Sequence, residues 1–202
     1  MMRWAKGPVS VERIGGALWI EAHGEGILVD APAGTAQLLG DRTERLRSVL
    51  LLSGRIERVS GLVSVLAALP QAADVPLVLR FPLSDERAGV LAEAWQRGWG
   101  DFPVTLDGVA PGETFDVGPA EARSVALRHP RSGPPPMGVQ VLWAGAAIAI
   151  LPQCLRDGAA RSICRDADLV VCELGGGGLS TAEAVQLSGD AELWLDPMPT
   201  EQ

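Results

Sequence analysis

Four consecutive apolar residues, Val49-Leu50-Leu51-Leu52, stop at Ser53-Gly54, and after the polar stretch Arg55-Ile56-Glu57-Arg58 apolar residues resume at helical spacing from 59 to 69. A short apolar run ended by turn residues reads as a buried strand, and the three-and-four spacing beyond it reads as an amphipathic helix. The chain therefore has to pass from strand to helix across 53–58. The polar side chains of that passage are placed at the edge of a sheet, where loops meet.

The same alternation recurs along the chain. Apolar runs at 9–14, 18–21, 27–30, 49–52 and 77–80 predict strands, and 59–69 and 86–95 predict helices. A second half follows, with strands expected at 104–106, 122–128, 139–143, 147–151, 169–172 and 192–195 and helices at 155–163 and 181–187. Two β-rich halves with helices on the outside predict an α/β (α+β) protein, a four-layer αββα sandwich, as a single domain over 1–202. The Pro-rich loop 130–136 is expected to border the edge where the two halves meet.

Residues 53–61 read Ser-x-Arg-x-Glu-Arg-x-x-Gly. This spacing resembles the His-x-His-x-Asp-His-x-x-Gly signature of the metallo-β-lactamase superfamily, in which an apolar strand ends in metal ligands and a helix follows. The resemblance continues in order. Gly26-Ile27-Leu28-Val29-Asp30-Ala31-Pro32 is similar to the family's early strand ending in Asp, and His129 stands where the third histidine ligand is expected. Pro152-Gln153 replaces the Gly-Asp turn of the bridging aspartate. Residues 167–173, ending in Cys172-Glu173, and 179–184 look like the ribonuclease Z-like branch, with Leu179 where that branch has histidine. Asp196-Pro197 follows the last strand in place of a final histidine ligand.

What the resemblance implies for the metals follows from donor chemistry. One zinc would need Ser53, Arg55, His129 and Gln153, and the other Glu57, Arg58, Gln153 and a residue near Pro197. A guanidinium stays protonated and offers no lone pair, while zinc takes imidazole, thiolate or carboxylate. One good donor remains in each set, and His23 and His129 are the only histidines. The expectation is no metal, no cofactor and no catalytic residue, with His129 a hydrogen-bonded structural residue. What remains is a degenerate site of Asp30, Ser53, Arg55, Glu57, Arg58, His129, Gln153 and Glu173, with Arg128 and Arg131 nearby. In one reading the arginines replace zinc as partners of Asp30 and Glu57; in the other they and the helix start bind an anion. Arg58 is expected to pair with the carboxylate ending strand 27–30, and Arg55 to be the more exposed.

Other features narrow the function. A net charge of −8, with Lys6 the one lysine among 17 basic residues, argues against nucleic acid as the main partner. Cys154, Cys164 and Cys172 lack metal spacing and read as core thiols of a reducing compartment. No signal peptide or membrane span is evident, so the expected location is cytoplasmic. Gly175 to Gly178 lack the lysine of a P-loop and read as a connection to a helix capped by Ser180 or Thr181. Trp95 and Trp99 are expected to form an exposed apolar patch. Together these give a non-catalytic interaction or regulatory subunit whose partner is a protein, either a second copy or an active relative. The alternatives are a hydrolase with a single metal at Glu57 and His129, and a small-anion binding module with an arginine-lined pocket.

Overall fold

A computed structural model describes residues 2–69, 76–98 and 104–197. Thirteen strands among them form two sheets. The first holds β1 (Arg3–Lys6), β2 (Val9–Ile14), β3 (Ala17–Ala22), β4 (Glu25–Val29), β5 (Leu46–Leu50), β6 (Leu77–Pro82) and β7 (Val104–Val109), in that order. The second runs from β8 (Thr114–Val117) through β9 (Ala120–Ala126), β10 (Met137–Trp143), β11 (Ala146–Leu151) and β12 (Leu169–Leu174) to β13 (Glu192–Pro197). Each sheet is antiparallel where its strands follow in hairpins. Each becomes parallel in its later part, from β4 to β7 and from β11 to β13.

The helices are α1 (Thr35–Leu39), followed by a 3-10 turn, α2 (Ile56–Val59), α3 (Leu62–Ala67), α4 (Glu86–Gly98), α5 (Gly158–Cys164) and α6 (Thr181–Ser188). Successive strand residues face opposite sides, and the core clusters follow that period. Leu50 and Leu52 join Ile27, Val139, Ile148 and Val171 between the sheets, whereas Val49 and Leu51 pack outward with Leu62, Val65 and Leu66 of α3. On the far side Ala149, Leu151, Val170 and Cys172 pack against Ala160, Ile163, Ala184 and Leu187 of α5 and α6. The result is helix, sheet, sheet, helix. Central strands buried on both faces need apolar residues without alternation, which is why 49–52 and 169–172 are continuous apolar runs.

The expected strands are present, and the departures have local causes. The helix expected at 59–69 starts earlier and is broken into α2 and α3. Gly61 N–H donates to Ala31 O, and Ala31 N–H donates to Arg58 O, so the 31–32 turn inserts against the helix start. The helix expected at 155–163 starts at Gly158, because Leu155 N–H bonds Arg128 O and Asp157 caps the first turn. β1, β8 and α1 were not expected. β1 buries only Trp4, β8 is four residues long, and α1 is five, so none carries a periodic signal. Trp99 and the side chain of Trp95 lie outside the described residues.

The parallel strands point their C-terminal ends to one edge of the sandwich. β4 delivers Asp30, β5 delivers residues 53–58, β6 leads to Asp85, β11 to Gln153 and β12 to Glu173. Gly61 makes the edge compact: a Cβ there would lie 2.1 Å from Pro32 O, a backbone atom that cannot swing aside. Gly61→Ala should therefore lower stability by about 1–3 kcal/mol, as overpacking does. A urea unfolding curve with an unshifted midpoint would contradict this.

Candidate functional site

Arg58 is the centre of the edge. Its guanidinium bonds Asp30 Oδ2 from the first sheet and Glu173 Oε2 from the second. Asp30 is 2 % exposed, and its backbone adopts a left-handed φ of 59°, rare for a residue with a side chain. That conformation is held by bonds on every side. Asp30 N–H reaches Leu50 O at 2.9 Å, and Asp30 Oδ1 accepts Leu52 N–H at 2.9 Å. Glu173 Oε2 also accepts Gln153 N–H at 2.7 Å. One half-buried cation thus joins carboxylates from both sheets.

The electrostatics follow from burial. Desolvation pushes the Asp30 carboxyl up, against the Arg58 charge and the Leu52 N–H, which lower it. Burial works against the charge on Arg58 too, but Asp30 and Glu173 outweigh it and hold its proton more firmly than usual. We take the pair as ionised, since a permanently protonated guanidinium sits in direct contact with the carboxylate.

Beside it, Arg55 donates to His129 Nε2 and to Gln153 Oε1, the latter at 3.2 Å. A guanidinium can only donate, so Nε2 is the acceptor and the ring proton lies on Nδ1, which faces Arg131 O at 3.0 Å. Both ring nitrogens are engaged. Gln153, 4 % exposed, further donates to Gly175 O at 2.9 Å. The glycine run has a steric reason here: Gly176 has φ +60°, and a Cβ there would meet Gln153 Nε2 at 1.8 Å. Ser180, not Thr181, caps α6, through a capping box with Glu183.

The structure brings together Asp30, Ser53, Arg55, Arg58, His129, Gln153 and Glu173, and corrects the expected pairing of Glu57. That side chain is exposed on α2, and the second carboxylate on Arg58 is Glu173. Arg55 and Arg58 are both half-buried. Arg128 is exposed and contributes its carbonyl to Leu155. Ser53 is buried, with its Oγ 3.5 Å from Arg55 N. Sequence reasoning missed Asp85. It is 2 % exposed, accepts Gly54 N–H at 2.7 Å and forks onto Arg87 at 3.0 Å. Its one signal was an acidic residue directly before a helix, after β6, a helix-capping position.

The donor set does not fit zinc. Two of the positions matched to ligands are guanidiniums, both nitrogens of His129 are engaged, and among the described residues no group of three or more His, Cys, Asp or Glu is placed to hold a metal. The cysteines offer no alternative. All three are buried in the outer core, and burial pushes Cys154 and Cys164 up to about 12.

No protein-family model matches the chain. Its sequence is 30% identical over 126 residues to a ribonuclease Z of Bradyrhizobium diazoefficiens, covering 59% of this chain and 42% of that protein. The match thus spans less than half of that relative's length. The metallo-β-lactamase fold protein YhfI from Bacillus subtilis superposes with a TM-score of 0.78 at 16% identity, over 97% of this chain and 89% of that one. Human tRNase Z, short form, gives 0.70 at 15% identity, over 92% and 89%. The two sheets with their outer helices are therefore the metallo-β-lactamase fold. The chain is a metallo-β-lactamase-fold protein with ribonuclease Z-like relatives. Among its described residues no helix is long and apolar enough to cross a membrane.

Two measurements check this geometry. Arg58→Ala leaves Asp30 and Glu173 without their cation and should cost about 3–5 kcal/mol. Arg55→Ala, which removes only bonds to neutral groups, should cost about 1–3 kcal/mol. Equal losses in chemical denaturation would contradict the assignment. The second concerns pH. Burial tends to raise the Asp85 carboxyl, but its bonds to Arg87 and Gly54 N–H outweigh this and hold it below its ordinary 3.8. A depressed acid adds stability above its unfolded value and loses it as pH falls through the folded one. Asp85→Asn should therefore lower the unfolding midpoint at neutral pH, and the gap to the wild type should close in acid. A gap that is constant with pH would refute the charged role.

Proposed function

We propose that this chain is a metal-free, non-hydrolytic protein of the metallo-β-lactamase fold, acting as an interaction or regulatory subunit. The observation that carries the reading is Arg58, at a matched ligand position, bonded to Asp30 and Glu173. A metal-hydroxide nucleophile requires open coordination and unprotonated donors, and here a fixed cation holds that place. The covalent route lacks support as well. Burial pushes the Cys172 thiol well above its ordinary value, and His129 is committed to Arg55.

A protein without the metal chemistry of its fold still offers shape and surface. Leu38, Ile56 and Val63, on α1, α2 and α3, are each at least half exposed, which supports contact with a protein partner, a second copy or an active relative. The net charge of −8 supports a partner other than nucleic acid.

The purified protein should contain no stoichiometric zinc, manganese or iron, and should not hydrolyse β-lactam, thioester, phosphodiester or tRNA substrates. Elemental analysis finding one or more metals per chain would sink the reading. So would turnover that a chelator abolishes.

A further inference from the structure

An open cleft of about 420 Å3 lies beside the Arg58 ion pairs, lined by Arg55, Arg87, Arg131, Glu57, Ile56 and Gln153 among others. We propose that this cleft binds the phosphate monoester group of a small organic molecule through Arg55, Arg87 and Arg131, without metal. The proposal rests on the metal-free reading above and names the ligand of the same edge.

Three guanidiniums and one carboxylate line the cleft, in a chain whose net charge is −8. Such a local reversal of sign concentrates anions. The arginines are also held in place. Each guanidinium carries five N–H donors in a planar fork. Arg55 uses its two terminal nitrogens on His129 and Gln153, and Arg87 uses Nε and Nη2 on Asp85, so both keep donors for a further partner. Anchoring by buried Gln153 and buried Asp85 fixes the forks before a ligand arrives, which lowers the ordering cost of binding. Arg131 comes from the loop whose backbone carbonyl accepts the His129 Nδ1 proton.

The chemistry of the occupant follows. A phosphate monoester is a dianion with three terminal oxygens, matching planar forks in charge and geometry; a diester has one charge and two such oxygens. The cleft falls in the size range of small-molecule sites, about 300–1,000 Å3, and is larger than a bare phosphate requires. Ile56, 68 % exposed, offers an apolar contact for the organic body. Glu57 stands in the same cleft and opposes an anion. The net charge disfavours a long polyanion, so the ligand is a small molecule and not the phosphorylated end of a nucleic acid.

Isothermal titration calorimetry of the full chain tests this with glycerol 3-phosphate, adenosine 5′-monophosphate, cyclic adenosine 3′,5′-monophosphate and a 5′-phosphorylated RNA oligonucleotide. Both monoesters should bind saturably, and more tightly than the cyclic diester. Arg87→Gln and Arg131→Gln, at exposed side chains, should each weaken them about tenfold, one charge-assisted contact. Glu57→Gln should tighten them. Absence of saturable monoester binding, affinities unchanged by both arginine variants, or equal binding of the diester would overturn the proposal, and tighter binding of the RNA would overturn its small-molecule part. Elemental analysis of the same sample separates the two readings. Stoichiometric zinc would overturn the metal-free function, whereas a metal-free sample that binds neither monoester overturns the phosphate site alone.

Discussion

A single guanidinium between two carboxylates joins the two sheets at the edge where loops from both sheets meet. Asp30 ends a strand of the first sheet and Glu173 lies on a strand of the second, and Arg58 bonds both. Without a cation between them, two partly desolvated carboxylates would face each other across the sandwich. The cost of such uncompensated buried charge is several kcal/mol, a large share of what a domain has to spare. The left-handed Asp30, the break between α2 and α3 and the close approach of Gly61 to Pro32 all serve to place that carboxylate and that cation together.

Around this centre the remaining groups form a hydrogen-bonded shell. Glu173 holds Gln153 N–H, Gln153 holds Arg55 and Gly175, and Arg55 holds His129. Each link is a neutral acceptor or a carboxylate facing a fixed donor. These bonds link the loops of the two sheets through side chains alone. The cleft outside the shell is lined by three guanidiniums, Arg55, Arg87 and Arg131, beside the carboxylate of Glu57.

Much of this could be read in the sequence, for physical reasons. Continuous apolar runs at 49–52 and 169–172 mark strands buried on both faces, and the Ser-x-Arg-x-Glu-Arg-x-x-Gly spacing marks the strand-to-helix passage. The pairing of Arg58 with Asp30 is legible in the sequence because Arg58 lies next to a helix start and within reach of the strand that ends at Asp30. The choice of Glu173 over Glu57 is not, since Glu57 is adjacent in sequence but turned outward on α2, and proximity along a chain does not give side-chain direction. Asp85 escaped notice because its role is fixed by a backbone N–H 31 residues away, which no local pattern encodes. The short elements β1, β8 and α1 left no periodic trace.

The role of Arg58 is tested most directly by the urea unfolding midpoint of the wild-type protein, measured once in excess chelator and once with saturating zinc. A ligand that binds the native state raises its stability in proportion to its occupancy. If Arg58 already supplies the cation that joins the sheets, the two midpoints coincide. A midpoint that rises with zinc and falls with chelator would mean that a metal, and not Arg58, joins the sheets.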